Sequence, residues 1–168
     1  NTAKDQFPQL LNAISHFEDL RIIFTKTNAD TEGRVINALI DEYVETNPGN
    51  TIAFTSMGQL RYVSALNYID VVLGNSSSGM IETPTFKLPT VNVGEREKGR
   101  IRANNVIDCE PNSESITAAL KKAFSDKFRE TLNEMVSPYE RADTAINITR
   151  ILKEYPLTGS TKKVFYNL

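Results

Sequence analysis

The sequence predicts a Rossmann-like, doubly wound α/β domain with a mostly parallel sheet of about five or six strands. Three observations carry that expectation. Short continuous apolar runs such as Leu20 to Thr25 (LRIIFT) lack the polar alternation of a half-exposed strand, so they read as strands buried on both faces. They alternate with longer stretches whose apolar residues recur at helical spacing. The runs also end in clusters of Gly, Ser, Asn and Asp, the chemistry of a strand-to-helix turn.

Phe7, Leu10, Leu11, Ile14 and Phe17 share one helical face, so the chain opens on an amphipathic helix. His16 lies beside that stripe. A lone histidine near a helix end, with no carboxylate motif beside it, reads as a surface or capping group. The strand Leu20 to Thr25 follows, then a polar loop from Lys26 to Gly33, then a helix marked by Val35, Ile36, Leu39, Ile40, Tyr43 and Val44. Asp30 or Thr31 suits its N-cap, yet the loop also leaves the C-terminal end of a strand, where open α/β sheets bind ligands.

Asn47-Pro48-Gly49-Asn50 is a turn by composition and Thr51 to Thr55 the next strand. Ser56-Met57-Gly58 then leads into a helix holding Leu60, Tyr62, Val63, Leu66 and Ile69. Asp70 to Gly74 and Thr90 to Val93 are further strands, with Pro84 and Pro89 punctuating the connection, and Asn105 to Cys109 is a short last one. Ile116, Leu120 and Phe124 mark one late helix, and Phe128, Leu132 and Met135 another. Ser137-Pro138-Tyr139-Glu140 reads as a capping box opening a long helix through Ile148, Ile151 and Leu152. The tail from Thr158 to Leu168 has no clear period.

Composition narrows the function. At 168 residues with 40% hydrophobic and 24% charged, the chain suits one domain with a sizeable core and is neither disordered nor membrane-embedded. A net charge of -2 gives no electrostatic reason to expect nucleic acid or an anionic membrane as partner. A single cysteine, Cys109, excludes an internal disulfide, and no Cys/His cluster suggests zinc. The expected setting is therefore reducing and cytoplasmic, with neither metal nor cofactor.

The most informative stretch follows Val71-Val72-Leu73. There Gly74-Asn75-Ser76-Ser77-Ser78-Gly79 passes at once into Met80, Ile81 and Glu82, a strand, a tight polar turn and the start of a helix. Serine hydroxyls and unpaired amides at a helix start make an anion site, although Asn and Ser cap helices without any ligand. A capping box would need Glu or Gln three residues after Ser76 or Ser78. Gly79 and Ile81 stand there instead, which leaves Glu82 free to accept hydrogen bonds from a pair of sugar hydroxyls. The later run Gly94 to Arg100 (GEREKGR) reads first as a solvated loop of mixed charge. It too leaves a strand's C-terminal end, and its arginines suit pyrophosphate oxygens.

Together, Asn75-Ser76-Ser77-x-Gly79, Glu82, Pro84, the run Leu88-Pro89-Thr90-Val91-Asn92 and Gly94-x-Arg96-x-x-Gly99-Arg100 resemble the UDP-N-acetylglucosamine 2-epimerases. The likeness is to the hydrolysing branch, which releases UDP and N-acetylmannosamine for sialic acid synthesis. It implies a two-domain glycosyltransferase-B architecture with the UDP-sugar in the cleft. Residues 1–168 would be its C-terminal, UDP-binding domain, the N-terminal domain being absent, as the start at Asn1 without methionine also leads one to expect.

By the same resemblance Asn28, with Asp30, faces the nucleotide-sugar, while Met57 meets the uracil through backbone groups with Tyr62 packed nearby. Ser76, Ser77 and the backbone of Ser78 and Gly79 hold the pyrophosphate, Glu82 takes the ribose, and Arg96 contacts the nucleotide with Arg100 in the same motif. His16 matches no family histidine. The catalytic carboxylates of the family belong to the other domain, so this chain would carry no catalytic residue and be inactive alone. A homo-oligomer is expected of the full-length protein. Alternatives are the non-hydrolysing branch, a UDP-diacetylbacillosamine 2-epimerase, half of a UDP-sugar glycosyltransferase, and a non-catalytic UDP-sugar sensor.

Overall fold

In the computed structural model, which describes residues 3–27 and 31–156, the chain divides into two compact units, Asn1–Pro138 and Tyr139–Leu168. The first holds every strand found among the described residues. Its elements run α1 (Ala3–Ile14), β1 (Ile22–Thr25), α2 (Thr31–Thr46), β2 (Thr51–Phe54), α3 (Gly58–Ala65), β3 (Val72–Gly74), α4 (Ser78–Ile81), a 3-10 turn (Thr83–Phe86), β4 (Thr90–Val93), β5 (Val106–Cys109), α5 (Ser113–Phe124) and α6 (Asp126–Thr131).

All the strand pairings are parallel, as the apolar runs predict. The strands form two hydrogen-bonded groups, β1 with β2 and β3-β4-β5, where a single sheet was expected. Among the described residues no ladder joins the two groups, which are held together by side-chain packing. Phe24 of β1 and Val91 and Ile107 of β4 and β5 belong to one buried cluster with Ile40, Ile116 and Leu120.

Helices α1 and α5 pack together beside this cluster. Asn12 Nδ2 donates to Ser113 Oγ at 3.0 Å, Ser113 N donates to Gln9 Oε1 at 3.3 Å, and the rings of Phe17 and Phe124 lie 5.8 Å apart. Helix α5 starts cleanly because Asn112 Oδ1 accepts from Ser115 N.

The capping box at Ser137 is not used. Residues 137–143 form no helix. Ser137 is buried, and α7 (Thr144–Glu154) begins only after Asp143, whose φ of 56° is left-handed. A left-handed residue at Asp143 cannot continue a helix opened at Ser137, so the cap has no unbroken run of helical backbone behind it. Between Tyr139 and Asp143 there is no apolar stripe, whereas Ile148, Ile151, Leu152 and Tyr155 recur at helical spacing; these four are exposed. The second late helix is also shorter than expected, with Leu132 buried just beyond its end.

Candidate functional site

The C-terminal ends of β1, β2, β3 and β4 each feed a loop carrying residues singled out in the sequence. Asn28 and Asp30, in the loop after β1, lie outside the described residues. Just before them Thr27 is pinned to α2: its N–H donates to Asn37 Oδ1 at 2.9 Å and its carbonyl accepts from Asn37 Nδ2 at 3.2 Å. After β2, Met57 is half-buried at the N-cap of α3 and Tyr62 stands on that helix's inner side. The Tyr62 hydroxyl hydrogen-bonds Ser78 Oγ, so the loop after β2 and the serine turn after β3 are held side by side.

The serine turn is tighter than its sequence indicates. Helix α4 is a single turn whose N–H groups are already paired: Gly79 N donates to Ser76 O at 3.1 Å, Met80 N to Ser77 O at 2.9 Å, and Glu82 N to Ser78 O at 2.9 Å. The Gly79 amide is therefore spent within the turn. Gly79 also has a packing reason to be glycine. A Cβ there would stand 2.6 Å from Thr90 Cγ2 on β4, a contact that backbone and a buried side chain cannot relieve. What remains for a ligand is the side chains. Ser76 is exposed and its Oγ accepts from Ser78 N at 3.4 Å, while the half-buried Ser77 makes no capping bond.

Glu82 follows at the C-cap of α4, half-buried. Its Oε2 is buried without a hydrogen-bond partner among the described residues, as expected of a carboxylate not used for capping. Beneath it lies a network that sequence reading missed. Thr83 Oγ1 donates to Gly79 O at 2.8 Å and pairs with Thr90 Oγ1 at 2.8 Å. Asn105 Nδ2 donates to Thr83 Oγ1 at 2.9 Å and to Leu88 O at 2.8 Å. Thr83, Thr90 and Asn105 are all buried, so the turn carrying the serines and Glu82 is bolted to β4 and to the start of β5.

The loop after β4 departs from the expected solvated run. Arg96, Lys98 and Arg100 are exposed, but Glu97 between them is 2% exposed. Its Oε2 is 2.5 Å from Arg100 Nε and its Oε1 is 4.0 Å from Arg96 Nε. Arg102 is fixed elsewhere, with Nη1 on both Asp108 oxygens at 2.7 and 2.5 Å and Nη2 on Glu97 O at 3.2 Å. Burial of Glu97 has one faint sequence signal, an arginine on either side at positions -1 and +3. Lys98 and Glu95 pair at 2.6 Å at the surface, which lowers the glutamate's pKa and raises the lysine's.

The strand-end loops thus form an open edge of hydroxyl, carboxylate and guanidinium groups. The two described cavities lie elsewhere. One of about 570 Å³ sits below the N-terminal ends of β3 and β4, lined by Asp70, Lys87, Pro89 and Arg129, and one of about 500 Å³ lies between α1 and α5 beside His16. Among the described residues no group of three His, Cys, Asp or Glu side chains is placed to hold a metal ion, and no helix is long and apolar enough to cross a membrane.

A family model described as UDP-N-acetylglucosamine 2-epimerase matches residues 1–153 of this chain. The chain belongs to that family. Among curated relatives it is similar to the GDP/UDP-N,N'-diacetylbacillosamine 2-epimerase (hydrolyzing) of Campylobacter jejuni, 37% identical over 77% of this chain and 33% of the relative. The UDP-N,N'-diacetylbacillosamine 2-epimerase (hydrolyzing) of Legionella pneumophila is 36% identical over 74% of this chain and 32% of that protein. The chain thus spans about a third of the length of these two relatives.

Among solved structures, the fold matches the Methanocaldococcus jannaschii UDP-GlcNAc 2-epimerase in complex with UDP-GlcNAc and UDP, with a TM-score of 0.68 and 18% identity over 89% of this chain and 41% of that one. The Neisseria meningitidis UDP-GlcNAc 2-epimerase bound to UDP-GlcNAc matches with a TM-score of 0.64 and 13% identity, over 90% of this chain and 41% of that one. The α/β fold with parallel strands is therefore that of the epimerase family.

Proposed function

We propose that this chain is the UDP-binding part of a hydrolysing 2-epimerase that acts on a UDP-linked 2-acetamido sugar and releases UDP and N-acetylmannosamine. The observation that carries this reading is Glu82. In a chain of the epimerase family, a half-buried carboxylate with one oxygen unpartnered stands at the end of a serine turn, at the ligand-binding edge of a parallel sheet. On this reading the two hydroxyls of a ribose donate to the Glu82 carboxylate.

On this reading Ser76 and Ser77 donate to the diphosphate through their hydroxyls, and Ser78 supports the turn through Tyr62. Arg96 and Arg100 neutralise charge on the UDP leaving group as the C1–O bond breaks. Asn28 and the Met57 backbone complete the nucleotide contacts. Among the described residues no side chains form an acid/base pair for C2; on this reading those carboxylates come from outside residues 1–168, and the chain alone turns over nothing. The reading places the protein in the cytoplasm, as a homo-oligomer.

A second reading of the substrate, UDP-N,N'-diacetylbacillosamine, is favoured by the names of the Campylobacter and Legionella relatives. Two measurements test the proposal. Calorimetry should show UDP binding that NAD does not displace, with Glu82→Gln weakening UDP and uridine alike; tighter binding of NAD than of UDP overturns it. Product analysis with the full-length protein, given each UDP-sugar separately, then assigns the substrate.

A further inference from the structure

Glu97 is the one buried carboxylate in a loop of otherwise exposed charges, and the geometry points to a task for it. We infer that Glu97 is a positioning residue that holds Arg96 and Arg100 as a two-pronged clamp for the diphosphate of the ligand, an inference that rests on the reading of this edge as the UDP site.

The loop is folded to bring the three charges together. Lys98 N donates to Glu95 O at 3.0 Å and Arg100 N to Glu97 O at 3.3 Å, two successive turns, the second closed by Gly99 at a φ of 84°. That left-handed glycine returns Arg100 over the Glu97 carboxylate. In both arginines the atom nearest Glu97 is Nε, and no hydrogen bond from a described residue engages the Nη atoms of either. The two-nitrogen edge that grips a phosphate is thus left facing outward.

Arg102, the third arginine, is already bonded to Asp108 and to the Glu97 carbonyl, so it is structural. A buried ion pair adds little stability over an apolar replacement, because desolvation offsets the attraction. Its presence here is better explained by orientation: one carboxylate lets two guanidinium groups stand close together that would otherwise repel. Arg100, ion-paired at 2.5 Å to a Glu97 Oε2 that makes no hydrogen bond with a described residue, is the closer prong, and Arg96, at 4.0 Å, is the looser one.

The decisive property is the sign of the effect. Removing a negative charge next to a phosphate site strengthens phosphate binding if charge alone matters, and weakens it if the carboxylate aligns the donors. The experiment is calorimetry of the full-length protein with UDP and with uridine, for wild type, Glu97→Gln and the double variant Arg96→Ala, Arg100→Ala. Glu97→Gln should weaken UDP about tenfold while leaving uridine unchanged, as expected when charge-assisted bonds lose their alignment.

UDP binding by Glu97→Gln that is unchanged or tighter overturns the inference, as does an equal loss for UDP and uridine. If the double variant binds UDP as wild type does, the site reading itself has failed, a result distinguishable from the first. Should Glu97→Gln not fold, NMR of the wild-type arginine Nε–H groups decides. The side-chain motion of Arg100 should be restricted in the free protein, and UDP should shift its Nε–H signal while uridine leaves it in place. Motion as free as that of the exposed Arg34, or equal shifts with both ligands, overturns the inference.

Discussion

The hydroxyl of Tyr62 and the Oγ of Ser78 share a hydrogen bond that ties helix α3 to the serine turn. It gives Tyr62 a role other than stacking on a base: it sets the distance between the loop proposed for uracil and the turn proposed for phosphate. Tyr62→Phe leaves the Ser78 hydroxyl half-buried without that partner and should cost about 1 kcal/mol of stability. Urea unfolding measures it. No change in stability would mean that the bond is not formed in solution.

Replacing Ser76 and Ser77 together by Ala should separate phosphate from nucleoside. UDP loses two hydroxyl donors, each charge-assisted bond contributing on the order of 1.5–3 kcal/mol, while uridine binding barely moves. Parallel titrations with the two ligands read this directly, and an equal loss for both would mean that the turn itself has been disturbed.

Gly79→Ala should destabilise the chain by roughly 1–3 kcal/mol, since the new methyl meets Thr90 Cγ2. Adding Thr90→Ser removes that methyl and keeps the hydroxyl that bonds Thr83, so the double variant should regain most of the loss. A double variant no more stable than Gly79→Ala alone would place the requirement for glycine somewhere other than this contact.

Cys109 is buried on β5 with its thiol donating to Asn92 O at 3.6 Å, and burial, with Asp108 and Glu110 nearby, pushes its pKa from 9.0 up to about 11. A raised folded-state pKa means that the native protein holds this proton after the unfolded chain has lost it. The stability linked to it is therefore complete below pH 9 and falls as pH rises towards 11. Unfolding of wild type and Cys109→Ala from pH 8 to 11 should show a steeper decline in wild type, and thiol reagents at pH 8 should react slowly with the native protein. Parallel declines, or rapid labelling, would count against the shift.

The strand runs and the serine turn were legible because burial on both faces leaves an unbroken apolar run, and Gly-Asn-Ser turns are local chemistry. Glu97 was not legible. A charged run looks solvated whichever of its members folds inward, and only the three-dimensional path of Gly94 to Arg102 makes the choice. The Thr83, Thr90 and Asn105 network was invisible for another reason, since Asn105 meets Thr83 across 22 residues of chain and neither carries a local signal of the other. The unused capping box at Ser137 shows the converse: a local signal was present, but the left-handed Asp143 breaks the backbone between it and the helix that forms.

Asn12 and Ser113 hydrogen-bond across 101 positions of sequence, joining α1 to α5. Helix α1 packs on α5 as well as on the nearer α2, so on the ribosome its cover is completed only once α5 has been synthesised. Until then part of the face formed by Phe7, Leu10, Leu11 and Ile14 is open to chaperones and to neighbouring nascent chains. Slow closure of so long a loop makes α1 a late-docking element. Polysomes translating this protein should expose part of that face until the codon for Ser113 and those beyond it have been read.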